Sequence, residues 1–591
     1  MNETTHICRN CNHEFIIESE DFLFYEKIKV PPPTWCPECR MIRRFVWRSV
    51  RNLFRNRDTI TGKEVFSSFH KATPAKIYQL SYWNSDAWDP MDYSRDYDFL
   101  RPFFEQFREL MYAVPWSSKA EMNMINSDYS NQASDCKNCY LCFDLDNGEN
   151  SAYVTRGQVA KECFDLYEFR HSELSYDSYM VDEAYRVFFS ANVEDSTDVW
   201  FSRNLLGCSN CFGCVNLRNK SYHIFNKPIP KEEYKEFMKQ FDSGSFTTIS
   251  AMRKKAIAFW LQHPMRFTLA INVTNSTGEH IEYSKNLTQC YSVHEAENLK
   301  YCQVIDGATS DSYDYTVWGV GASQIYESLA CGIEVANLYF CFDCWPSSQN
   351  LEYSMFCRSS SDLFACVGLK KKQYCIFNKQ YSKEDYHALR EKIIAHMNEM
   401  PYTDARGHVY KYGEFLPPEF SPFAYNETVA QDFFPLTKEQ AEEKGYLWRE
   451  PEKREYETTI RAADLPDHIK DVSDDIVKEI IECASCKRAY RIIPMELQFY
   501  RHISLPIPRL CPECRFQARF KFVNPPKLWK AKCQCNGNKS TVDGRQSTVS
   551  YANATAHFHG DVPCPNEFET SYAPGRPEIV YCEQCYQTEV V

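Results

Sequence analysis

Cys139-Tyr-Leu-Cys142-Phe-Asp144 sets the texture of the long middle of this chain. The same mixture of Tyr, Phe, Val and Cys returns as Cys163-Phe-Asp-Leu-Tyr167, Leu174-Ser-Tyr-Asp-Ser-Tyr179 and Tyr185-Arg-Val-Phe-Phe189. The interval is ten to twenty-odd residues, with Asn, Asp and Ser between the runs. Short strands with small polar turns and little Gly or Pro predict a parallel β-solenoid, in which rungs stack and inward positions form ladders of Cys, Tyr or Phe. A pair of β-sandwiches is the alternative, because strand periodicity alone fits both.

The block closes on Cys208-Ser-Asn-Cys211-Phe-Gly-Cys214 and Tyr222-His-Ile-Phe-Asn-Lys227. A second block carries Gln289-Cys290, Tyr301-Cys302 and Tyr339-Phe-Cys341-Phe-Asp-Cys344, and closes on Cys366 and Tyr374-Cys-Ile-Phe-Asn-Lys379. The two endings align at a constant offset: Cys214 with Cys366, Tyr222 with Tyr374, Asn226 with Asn378, Glu232 with Glu384, Tyr234 with Tyr386. This is an internal duplication of a β block plus a helical cap.

Working outward, both ends carry one template. Cys8-x2-Cys11 is followed by Cys36-Pro-Glu-Cys39-Arg40, and Cys483-x2-Cys486 by Cys511-Pro-Glu-Cys514-Arg515, with 24 residues between knuckles in each case. Phe15 answers Tyr490, Tyr25 answers Tyr500, Pro33 answers Pro508 and Arg44 answers Arg519. Two CxxC pairs supply the four thiolates of a closed tetrahedral zinc site, so two structural Zn2+ ions are expected; four thiolates leave no open position for catalysis. A third ion is expected in the tail from Cys533, Cys535, Cys582 and Cys585, with Cys564, His557 and His559 as rival ligands. CxxC spacing also occurs at Cys136, Cys139 and Cys142, at Cys208, Cys211 and Cys214, and at Cys341 and Cys344. There the strand-like context favours small buried side chains in a ladder over metal ligands.

The expected organisation is therefore mainly β. An N-terminal ribbon with an Arg-rich arm occupies 1–60, and an aromatic and acidic helical segment 61–122. Solenoid blocks with helical caps follow at 123–265 and 266–400, then a linker-like stretch at 401–478. A C-terminal ribbon and zinc-binding tail fill 479–591. The chain of 591 residues is too long for one core, and its net charge of −13 argues against a generic nucleic-acid coat. No signal-like start and no long apolar span are read, so the 28 cysteines are expected reduced, in the cytoplasm and off the membrane.

One local exception to the acidic balance stands out. Arg40, Arg43, Arg44, Arg48, Arg51 and Arg55 follow the first ribbon with Phe45, Trp47 and Phe54 between them, and no acid intervenes before Asp58. Arginine suits phosphate, so RNA or a ribonucleoprotein is one expected partner; the other reading pairs these arginines with the protein's own acids. Trp83 and Trp88 are read as a packed layer in preference to a carbohydrate platform. Gly319-Val-Gly321 lacks a dinucleotide loop's context, and Walker, GxSxG and HExxH motifs are missing, so a non-enzymatic role is expected. A protein-assembly scaffold or homo-oligomer, and a carbohydrate-active enzyme on the solenoid flank, are the alternatives.

The ribbon residues Cys8, Cys11, Phe15, Tyr25, Pro33, Cys36, Pro37, Cys39 and Arg40, and again Cys483 to Arg515 with Tyr490 in place of Phe, resemble a small family of zinc-ribbon domains named only for zinc binding. The full layout also resembles a group of uncharacterised proteins from small-genome bacteria of the candidate-phyla type. That resemblance is carried by Tyr82 to Asp89, Asn126-Ser-Asp-Tyr129, the two Phe-Asn-Lys closings and Tyr581-Cys-x-x-Cys-Tyr586. It implies zinc and this architecture, and no activity.

Overall fold

The computed structural model describes residues 3–450, 456–537 and 551–591. They form two units, each pairing one ribbon with one β coil. The first comprises 1–119, 268–450 and 525–528; the second comprises 120–267, 451–524 and 529–591. The N-terminal ribbon thus belongs with the later coil and the C-terminal ribbon with the earlier one.

Both coils are parallel β-solenoids. In the second unit Phe143, Thr155, Tyr167, Tyr179, Ala191, Arg203 and Val215 stack in one parallel ladder, each 12 residues from the last. The interval anticipated as ten to twenty-odd residues is thus a fixed rung. A finer period lies inside it. Every third residue from Gln132 to Phe225 has positive φ, and the residue after each corner points inward: Cys136, Cys139, Cys142, Leu145, and later Cys208, Cys211, Cys214. A 12-residue rung is therefore four triplets. Asn and Asp recur at the corners (Asn138, Asp144, Asn150, Asp165, Asn192, Asn204, Asn216) because their short polar side chains tolerate the left-handed region that costs other L-residues about 1–2 kcal/mol.

The interior is lined by Cys, Ala, Val and Leu with inward serines among them, and the polar atoms are satisfied between rungs. The Ser151 hydroxyl accepts from the Cys163 N–H, Ser190 from Ser202, and Ser202 from Cys214. Inward thiols face carbonyls of their own and the next rung: Cys208 Sγ lies 3.4 Å from the Leu206 oxygen and 3.5 Å from that of Leu217. The cysteine triplets of the coil are ladder residues, and they are absent from the metal-ligand groups found among the described residues.

The coil of the first unit follows the same rule with looser spacing. Tyr291 pairs with Gln303 at 12 residues; Gln303 with Thr316, Thr316 with Leu329, and Phe342 with Met355 stand 13 apart. Each coil is closed by the duplicated Phe-Asn-Lys. Asn226 accepts from the Val215 N–H at 2.9 Å and donates to its carbonyl at 2.9 Å; Asn378 does the same to Val367 at 2.8 and 2.9 Å. A hairpin turn and a helix follow, Lys231–Gln240 in one case and Lys383–Glu399 in the other, the latter capped by Ser382.

One expectation needs correction. Residues 401–450 are no linker: Tyr410, Tyr412, Phe415, Leu416 and Phe420 are buried in the first unit, so its prolines punctuate a packed segment rich in aromatics. Trp83 and Trp88 are held within that unit as well. The Trp83 indole donates to the Pro115 carbonyl, the Trp88 indole to that of Trp83, and Arg358 lies 5.0 Å from the Trp83 ring. The helix anticipated around Phe99 to Met111 runs Phe103–Ala113.

Candidate metal centres

In each ribbon a Cx2C knuckle precedes a short strand, and the second knuckle starts a helix whose first residue is proline, Pro37–Phe45 and Pro512–Phe520. Proline at that position needs no N–H partner and presets φ. Cys36 and Cys511 occupy the caps, with Cys39 and Cys514 one turn inside, so both thiols meet the positive end of the helix. The Sγ atoms of Cys8, Cys11, Cys36 and Cys39 all lie within 4.8 Å of one another, as do those of Cys483, Cys486, Cys511 and Cys514. The Cys36 N–H donates to Cys8 Sγ at 3.2 Å, and the Cys511 N–H to Cys483 Sγ at 3.3 Å. Burial opposes ionisation of Cys483, but the N–H groups of Cys511, Cys486 and Ser485 outweigh it and bring the thiol down to about 7. These are groups of four sulfurs that could each hold one ion.

The tail is arranged differently from the expected set. Cys533, Cys564, Cys582 and Cys585 gather within 4.8 Å, while Cys535 joins His557, His559 and again Cys585 in a second group of the same tightness. Cys582 caps the helix Glu583–Val590, and its N–H donates to Cys533 Sγ at 3.2 Å, repeating the ribbon knuckle. Cys564 was legible only as a rival because no second cysteine sits near it in sequence.

The arginines face the wrong way for a nucleic-acid footprint. Arg40, Arg43 and Arg44 have at most 1% of their surface exposed. Arg40 and Arg44 both grip Asp314 of the coil, at 2.9 and 3.1 Å; Arg43 pairs with Glu327 and, at 2.9 Å, with Glu414. Arg48 is buried too, Arg51 pairs with Asp432 at 2.9 Å, and Arg55 with Glu64 at 3.6 Å in the open. The helix that carries the run turns its basic face to the coil, where Asp314 and Glu327 stand on successive rungs. The expected phosphate-binding role of Arg40, Arg43 and Arg44 is therefore withdrawn.

The second ribbon repeats this docking through Arg515 and Arg519, the counterparts of Arg40 and Arg44, while Ala518 stands where the first ribbon has Arg43. Arg515 and Arg519 grip Asp165 at 2.9 and 3.0 Å, and Arg519 also reaches Asp177, one rung on, at 2.9 Å. Phe499 stacks on Phe164 at 4.1 Å where Phe24 stacks on Tyr313 at 3.8 Å. Tyr500 meets Tyr176 edge-on as Tyr25 meets Tyr326, and Arg515 lies over Tyr153 as Arg40 lies over Tyr301. The acids and aromatics of this interface were missed in the sequence, although Asp165 and Asp314 each follow an aromatic residue at a rung corner.

No protein-family profile matches the chain, and no curated protein matches it significantly. Among solved structures, one from Desulfovibrio desulfuricans G20, provisionally described as an acetyltransferase, aligns over 45% of this chain and 69% of its own at 8% identity, with a TM-score of 0.11. That likeness carries no argument. Among the described residues no helix is long and apolar enough to cross a membrane.

Proposed function

We propose that this protein is a non-catalytic, zinc-stabilised scaffold whose ribbons are internal clamps and whose coils offer regular outer faces to a protein partner. The observation that carries this reading is the duplicated dock: in both units the ribbon helix spends its arginines on coil acids. Zinc suits the ribbon groups because four thiolates at tetrahedral reach are its usual closed structural shell. Metal bound there sets the helix that carries the arginines, and so couples metal loading to the dock.

The reading is tested by purifying the tagged chain from its own host with and without nuclease and resolving what remains bound. Stoichiometric protein retained after nuclease supports the scaffold. A companion titration of structured RNA by fluorescence anisotropy is expected to show no affinity that depends on Arg43 or Arg44. Tight RNA binding with a steep salt slope, lost on nuclease treatment along with every protein partner, would overturn it.

A further inference from the structure

The seven candidate ligands of the tail exceed the four of one closed tetrahedral ion and fall one short of the eight of two. Cys533, Cys564, Cys582 and Cys585 form one four-ligand group; Cys535, His557, His559 and Cys585 form the other. Two tetrahedral ions need eight ligand positions, and seven side chains fill eight only when one is shared. Cys585 is common to both groups, is fully buried, and is a thiolate sulfur with lone pairs enough for two metals. We propose that the tail holds a two-metal centre of the zinc type, bridged by Cys585. This rests on reading thiolate groups as zinc sites, but it concerns ligands outside the two ribbons.

The imidazoles are pre-set for this role. His559 Nδ1 lies 2.6 Å from the Val562 carbonyl, an acceptor only, so that nitrogen carries the hydrogen and Nε2, 3.4 Å from Cys585 Sγ, presents its lone pair. His557 has the opposite arrangement. Its Nε2 lies 3.2 Å from the buried Glu589 carboxylate, which leaves Nδ1, 3.5 Å from Cys535 Sγ, to bind. A carboxylate behind a metal-binding imidazole fixes its tautomer and ring orientation. Glu589 is itself held by the Ala554 N–H at 2.7 Å and the Tyr551 hydroxyl at 3.0 Å. It is a positioning residue, four residues after Cys585 on the same helix.

The charge is also managed. Five thiolates and two neutral imidazoles around two divalent ions leave one net negative charge. Asn553 donates to Cys535 Sγ at 3.2 Å and Asn566 to Cys582 Sγ at 3.3 Å, while Cys582 caps the helix start. Amide donors on thiolates disperse that excess.

The test uses the full-length chain purified in Zn2+ and dialysed free of excess metal. Metal analysis is expected to give four ions per chain, and 113Cd NMR of the cadmium-exchanged protein four resonances, two of them coupled through the shared sulfur. His559→Ala is expected to lower the count from four to three, and Cys585→Ala from four to two. Three ions in the unaltered chain, or four without coupling, overturns the bridge without requiring any variant to fold. Two ions that are coupled to each other would uphold the tail centre and remove the ribbon sites instead.

Discussion

At the scale of single residues, the docks turn on carboxylates whose burial would be costly without their arginines. Asp165 is fully enclosed and receives both Arg515 and Arg519. Asp165→Asn keeps the shape but removes the carboxylate that Arg515 and Arg519 share, leaving Arg515 to Glu496 and Arg519 to Asp177, a loss of about 3 kcal/mol, the low end for a broken buried pair. Chemical denaturation is expected to show a destabilisation of that order, and a change under about 1 kcal/mol would mean water reaches the site. Asp177 supplies a pH dependence. Burial alone would raise its carboxyl, but Arg253 and Arg519 outweigh that and hold it below the ordinary carboxylate value. A depressed acid contributes stability above its unfolded pKa of about 3.9, and that contribution is lost as pH falls through the folded value. Stability followed from pH 6 to 3 should therefore drop on the acid side, and Asp177→Asn should flatten this part of the curve. An unchanged acid limb in the variant would count against the pairing.

At the scale of elements, the Phe-Asn-Lys closings end each ladder with a side-chain mimic of the next rung: the asparagine amide gives and takes the two backbone bonds a further strand would have made. Asn378, wholly buried, also donates to the Pro90 carbonyl at 2.9 Å. Asn378→Ala should strip three bonds and expose the last rung, costing about 2–4 kcal/mol at roughly 1 kcal/mol per bond. Hydrogen exchange should rise most in 361–376. Uniform protection across that strand and its neighbours would show that the helical cap alone closes the coil. These closings, the duplication and the solenoid itself were legible because they repeat in the sequence. The triplet was written there too, as Cys136, Cys139, Cys142 and again Cys208, Cys211, Cys214, but x2 spacing is also the spacing of a metal knuckle. What separates them is continuation. A knuckle has two cysteines and then a turn, whereas the coil places another inward apolar side chain, Leu145 or Leu217, three residues further on. The rung length stayed hidden because corners accept Leu141, Tyr153 and Val159 as well as Asn and Asp, which blurs the polar punctuation.

At the scale of the whole molecule, each unit joins a ribbon to the coil that is not its neighbour in sequence, so domain limits drawn along the chain could not find the partnership. The arginines were legible as a cluster and their targets were not, since Asp314 and Asp165 lie hundreds of residues from the ribbons they meet. Metal removal tests the coupling that follows. Structural zinc contributes about 10–16 kcal/mol to the folding of small thiolate sites, more than a ribbon core of this size supplies on its own. The coils, by contrast, hold their ladders through backbone pairing and inward serines. Chelation of the loaded protein is therefore expected to raise hydrogen exchange first in 8–45 and 483–520. It should then spread to the rung corners around Asp165 and Asp314, once Arg515, Arg519, Arg40 and Arg44 leave them as buried carboxylates without partners. The inner strands around Val187 and Leu351 should lose protection last. If exchange at the corners stays unchanged after the ribbons have lost their metal, the arginine docks do not depend on zinc, and the clamp would have to be a property of the helices alone.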